Sequence, residues 1–84
     1  MKNKVVFITG GARGLGAGLA ARVLSKGGNA FIVDLNADAV FEQVEALGGQ
    51  AIAGCQANVC KPADLELAMA ECQERFGRID VVVA

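Results

Sequence analysis

The chain contains no histidine, tryptophan or tyrosine, only one proline, and no excess of either charge. Each deficit removes a class of function. Without histidine, and with Cys55, Cys60 and Cys72 at no CxxC spacing, there is no zinc-type ligand set. Four Phe are the only aromatic residues, which leaves no stacking platform for single-stranded nucleic acid. A net charge of −1 gives no electrostatic reason to expect nucleic acid or an anionic membrane as a partner. No stretch approaches the roughly 20 apolar residues of a membrane span. Met1-Lys2-Asn3-Lys4 before Val5–Ile8 imitates a signal peptide, but the apolar run turns too early into Gly10, Gly11 and Arg13. The odd set of three cysteines reads as small buried hydrophobes in a reducing, cytoplasmic setting.

What is present describes a small globular unit. The 84 residues are 54% hydrophobic and 20% charged, enough for one thin core and too apolar for disorder. Val5–Ile8 is a short β-branched run that breaks into Thr9-Gly10-Gly11-Ala12-Arg13-Gly14-Leu15-Gly16. Leu15, Leu19 and Val23 then share one helical face, which predicts a helix over Gly14–Lys26 with Gly27-Gly28 as its stop. Gly18, inside that helix, is expected to permit close packing of helix on strand.

Asn29–Asp34 is apolar on both faces, as a parallel strand covered on both sides must be. Val40, Val44 and Leu47 mark a second helix, with Phe41 adjacent, ending at Gly48-Gly49. A third strand is expected over about Gln50–Ala57, although it is Ala-rich and contains Gly54. Pro62 opens a third helix whose core stripe is Leu65, Met69, Cys72 and Phe76. Lys61 is a poor cap, so this helix is expected to start loosely. After Gly77, Ile79–Ala84 begins a fourth strand. The order βαβαβαβ with short connections specifies an α/β fold, an open doubly wound parallel sheet with right-handed crossovers. Ligands of such sheets bind beyond the carboxyl ends of the strands, where Thr9–Gly16, Asp34 and Asn58-Val59 converge.

The glycine pattern discriminates between several phosphate sites. GxGxxG fails because Leu19 stands three residues after Gly16, and the P-loop fails because Ala17 stands where its Lys belongs. Gly14-x-Gly16-x-Gly18 matches the GxGxG of many methyltransferases that use S-adenosylmethionine, but it begins well past Ile8 and lacks their acidic residue. Thr9-Gly10-x-x-x-Gly14-x-Gly16 fits in full. With it, Asp34 at the end of the second strand, Asn58-Val59 and Ile79-Asp80-Val81-Val82-Val83, the chain resembles the short-chain dehydrogenase/reductase family in its TGxxxGxG branch, along its whole length.

The resemblance implies a Rossmann-type sheet of strand order 3-2-1-4, a nicotinamide dinucleotide cofactor and a small alcohol or carbonyl substrate. It implies cofactor-binding roles for Thr9, Gly10, Arg13, Gly14, Leu15, Gly16, Asp34, Leu35, Asn58 and Val59. The physics agrees. Gly10 makes the exit from the strand, and the Leu15 and Gly16 amides can meet a pyrophosphate at a helix start. Asp34, 18 residues beyond Gly16, is placed to accept from ribose hydroxyls and to repel a 2′-phosphate. At about 4 Å that repulsion is roughly 1 kcal/mol in water and about 4 at an intermediate dielectric. Arg13 pulls toward NADP, but Leu35 adds no second base, so NAD is expected to be preferred. Asn58 stands where the family has Asp and can serve either the adenine or a turn.

The family's catalytic Ser, Tyr and Lys lie downstream. This chain has no tyrosine, its one serine is Ser25 near the end of the first helix, and Lys2, Lys4, Lys26 and Lys61 form no Tyr-x-x-x-Lys pattern. No catalytic residue is therefore assigned. Residues 1–84 read as the N-terminal part of a single NAD(P)-binding domain, truncated and inactive alone, from a parent expected to be homo-oligomeric. An open fourth strand is expected to favour self-association. A non-catalytic dinucleotide-binding module and a methyltransferase fragment are the competing readings.

Overall fold

The computed structural model describes residues 2–84. Strand β1 (Val5–Thr9) is followed by helix α1 (Gly14–Ser25), β2 (Asn29–Asp34), α2 (Ala37–Leu47), β3 (Ile52–Gln56), α3 (Pro62–Phe76) and β4 (Val81–Val83). All pairings are parallel, and the sheet order is β3-β2-β1-β4. The expected topology and strand order are therefore those observed. The third and fourth strands are shorter than expected: Gln50, Ala51 and Ala57 lie outside β3, and Ile79, Asp80 and Ala84 lie outside β4.

The two-residue side-chain period divides the central strands between two cores. Val6, Ile8, Ala30 and Ile32 face α1 and α2, where they meet Ala20, Val23 and Val40. Val5, Phe7, Phe31 and Val33 face α3, where they meet Ala68 and Cys72. On that face the Phe7 and Phe31 rings stack with centroids 5.8 Å apart, a contact worth about 0.5–1.5 kcal/mol beyond the area it buries. Leu65, Met69 and Phe76 pack around the second core, as their helical spacing predicts.

The helix boundaries follow local chemistry. Gly27 and Gly77 have φ of 80° and 83°, the left-handed conformation that glycine accepts without strain. The Asn36 side chain caps α2 by accepting from the Ala39 N–H at 3.0 Å. Lys61 contributes no cap to α3, yet the helix start is well tied. The Asp64 carboxylate accepts from the Asn58 N–H at 3.0 Å, and the Lys61 N–H donates to the Asn58 carbonyl at 2.9 Å. The expected loose start is thus corrected: the anchor comes from inside the first turn, not from the cap position.

Three further expectations change. Leu15 is 95% exposed and lies outside the core, because the first turn of α1 projects past the carboxyl edge of the sheet. Gly18 faces open space, so close packing does not explain it. Within α1 the position that cannot carry a side chain is Gly16, whose Cβ would collide with the Gly10 carbonyl and Gly11. Of the thiols, only Cys72 is buried; Cys55 is half-buried and Cys60 is exposed.

At the amino edge, Asp80 joins β1 to β4. Its carboxylate accepts from the Val5 N–H at 2.8 Å and from the Arg78 guanidinium at 2.6 Å. These bonds, Arg78 first, hold the carboxyl below its ordinary range. Desolvation pushes the Cys72 thiol up to about 11, and desolvation together with the neighbouring Glu71 carboxylate pushes Cys55 up to about 11.

Gly18→Ala should stabilise the chain by up to about 1 kcal/mol, since Ala is the better helix former and its methyl meets nothing. Gly54→Ala should destabilise it, since its Cβ would strike the Ile32 carbonyl. Urea unfolding of both variants tests the pair. Stability should also fall at both ends of the pH scale. The two thiols lose protons more readily once unfolded, so stability drops as pH rises from 9.0 toward about 11. The Asp80 contribution is complete above the unfolded carboxyl pKa of about 4 and is lost as pH falls through the lower folded value. Urea midpoints across pH check both slopes, with Asp80→Asn flattening the acid limb.

Candidate functional site

β1, β2 and β3 end nearly level, with Thr9 beside Val33 and Asp34 beside Gln56. The segments after them therefore meet at one edge. Gly10 turns out of β1 at φ 66°, and both its N–H and that of Gly11 donate to the Val33 carbonyl, at 2.7 and 3.2 Å. Gly14 begins α1 at φ 57°, with nothing within 4 Å of where its Cβ would be. Thr9 turns its hydroxyl to the Val83 carbonyl at 3.3 Å. In this structure Thr9 and Gly10 thus shape the turn, and their own polar groups are used within the sheet.

The start of α1 differs from the other two helices. Arg13 occupies its N-cap with no side-chain bond to the helix, and no acidic residue lies in the first turn. By contrast α2 has the Asn36 cap and Asp38, and α3 has Asp64. The first intrahelical bond of α1 runs from the Ala17 N–H to the Arg13 carbonyl at 3.3 Å. The Gly14, Leu15 and Gly16 amides therefore have no partner among the described residues and stand at the positive end of the helix dipole.

Beside this helix start is a groove of about 260 Å³, lined by Gly10, Asp34, Leu35, Asn58, Val59 and Cys60 among others. Asp34 uses one carboxylate oxygen to accept from the Asn36 N–H at 3.2 Å; the other has no partner among the described residues. Leu35 and Val59, 63% and 41% exposed, give the groove apolar surface. The Asn58 side-chain oxygen accepts from the Cys60 N–H at 3.0 Å, so Asn58 serves as a turn residue. Its amide nitrogen has no partner among the described residues. Arg13 is exposed at the helix start.

The structure thus brings every residue singled out in the sequence to this edge. It adds two that sequence reading missed. Cys60 lines the groove, and its position after Asn58-Val59 was the available signal. Gly11 is needed because its Cβ would strike Ile32, a tertiary contact with no sequence signature. Taken together, the free amides, the cradle open at Gly14 and the half-used Asp34 carboxylate fit a ligand that carries both phosphate and hydroxyl groups. Among the described residues there is no metal-ligating cluster and no helix long and apolar enough to cross a membrane.

Comparison with known proteins gives a consistent answer. The chain is 38% identical over 80 residues to cis-3,4-dihydrophenanthrene-3,4-diol dehydrogenase of Alcaligenes faecalis, covering 95% of this chain and 28% of that protein. It is 37% identical over 83 residues to 3-hydroxyacyl-CoA dehydrogenase type-2 of Rattus norvegicus, covering 99% of this chain and 31% of that protein. The chain therefore spans less than a third of the length of these two relatives. Among solved structures, a 3-ketoacyl-(acyl-carrier-protein) reductase from Brucella melitensis complexed with NADH superposes with a TM-score of 0.92 at 30% identity, covering 96% of this chain and 33% of that one. A sequence profile described as short chain dehydrogenase matches residues 4–84, and on this evidence the chain belongs to the short-chain dehydrogenase family.

Proposed function

We propose that this chain is the NAD-binding portion, at the N-terminal end of a single Rossmann-type domain, of an oxidoreductase that moves a hydride between the cofactor and an alcohol or carbonyl substrate. The observation that carries this reading is the uncapped start of α1, three free amides with no protein anion beside them, at the edge where Asp34 also lies. An anion at such a helix start gains typically 0.3–1 kcal/mol, up to about 2 where partly buried. The nicotinamide ring, when bound, supplies the hydride acceptor or donor.

In this reading the Gly14, Leu15 and Gly16 amides hold the pyrophosphate, with Thr9 and Gly10 shaping the turn beneath it. The free Asp34 oxygen accepts from the ribose hydroxyls. Leu35 and Val59 flank the adenine, and the Asn58 amide nitrogen can donate to it. Asp34 opposes a 2′-phosphate more strongly than Arg13 attracts one, because Arg13 is exposed at the helix start while Asp34 stands where the ribose would sit. No group in the chain is assigned to proton transfer, since it holds no Tyr-x-x-x-Lys pattern of the kind this family uses. The same reading carries the cytoplasmic setting expected from the three cysteines and the homo-oligomeric parent expected from the family.

Titration by calorimetry should show NAD bound at least tenfold more tightly than NADP. Asp34→Ala should narrow that ratio, and equal affinities in the unmodified chain would overturn the preference. The exposed Cys60 offers an independent probe of the groove. Iodoacetamide should label it before Cys55 and Cys72, whose thiols stay protonated at neutral pH. Saturating NAD should slow that labelling, as read by mass spectrometry of the peptides, while leaving the labelling rates of the other two unchanged.

A further inference from the structure

The opposite flank of the sheet carries a second recognition feature, independent of the cofactor edge. Among the described residues, strand β3 pairs with β2 alone. The Ala51 carbonyl accepts from the Ala30 N–H at 2.8 Å, and the Ala57 N–H donates to the Asp34 carbonyl at 3.0 Å. Backbone groups alternate sides along a strand, so Ala51, Ala53, Cys55 and Ala57 address β2. Ile52, Gly54 and Gln56 then point their N–H and C=O groups outward, a free hydrogen-bonding edge.

A groove lies on each side of this strand, and the two differ in chemistry. Toward α2 a groove of about 340 Å³ is bounded by Val40, Phe41 and Val44, with Phe41 66% exposed. Toward α3 a groove of about 580 Å³ is bounded by Ala53, Glu71 and Glu74. The cation in that second groove, Arg75, is already committed, donating to the Gln50 carbonyl at 2.7 Å and lying over the Phe76 ring. No basic residue occurs anywhere in α2, while Asp38 and Glu45 lie on the same side of it as Phe41.

We propose that the outer edge of β3 takes up an extended segment of a partner protein in which basic and apolar side chains alternate. Added as a further strand, such a segment turns its apolar side chains over Val40, Phe41 and Val44 and its basic ones toward Glu71 and Glu74. The main-chain bonds to Ile52, Gly54 and Gln56 supply affinity, and the two unlike grooves supply specificity. A second copy of this chain is disfavoured as the occupant, because it would set the same acidic side chains against one another.

The probe is a capped octapeptide alternating valine and lysine, with a valine–glutamate peptide as control, followed by amide hydrogen exchange in NMR spectra of the chain. The valine–lysine peptide should slow exchange of the Ile52, Gly54 and Gln56 amides at least tenfold, leaving Gly14, Leu15 and Gly16 unchanged. The double variant Glu71→Gln, Glu74→Gln should weaken that peptide by about fivefold, and Phe41→Ala should weaken it without disturbing the slow-exchanging β1 amides. Unchanged exchange at the three edge amides, equal binding of the glutamate peptide, or unchanged affinity in the double variant would overturn the proposal. So would protection that rises with protein concentration in the absence of peptide, which would make the occupant a second copy.

Discussion

The contact on which the site depends is the approach of Gly16 to the turn leaving β1. At this point the first turn of α1 rests directly on Gly10 and Gly11, with no room for a single Cβ. The same turn is pinned from below by the Val33 carbonyl, which accepts from both Gly10 and Gly11. A helix start is thereby locked to the β1–β2 ladder. Its free amides are fixed in direction before any ligand arrives, and an anion pays no ordering cost in the protein to reach them.

That constraint also explains the division of labour among the glycines. Gly10 and Gly14 are required for their positive φ, Gly11 and Gly16 for closeness, and Gly18 for neither. A motif that reads as one phosphate signature is, in the folded chain, two conformational requirements interleaved with two packing ones. The open, uncapped helix start is a consequence of both. Thr9 belongs to the same frame: its hydroxyl ties the end of β1 to β4 at Val83, across the strand pair that Asp80 closes at the other end.

The helices and their stops were legible in the sequence because local chemistry specifies them. Gly27, Gly48 and Gly77 sit where left-handed backbone ends a helix, and the stripes of α2 and α3 face the cores their spacing predicts. Leu15 misleads the same method, since periodicity cannot tell that the first turn of α1 overhangs the sheet. The start of α3 shows a related limit: a weak cap at Lys61 predicts fraying, but Asp64 reaches back to Asn58 and removes it.

By itself, the sequence determined the βαβαβαβ order, the parallel sheet and the convergence of Thr9–Gly16, Asp34 and Asn58 on one edge, because hydrophobic period and glycine placement act over a few residues. Tertiary structure alone decided which amides remain free and that Asp34 commits only one of its oxygens. It also decided that Cys60 faces the groove and that β3 offers an open edge between an apolar and an acidic surface. These properties depend on what lies opposite in space, and residues far apart in the chain supply it.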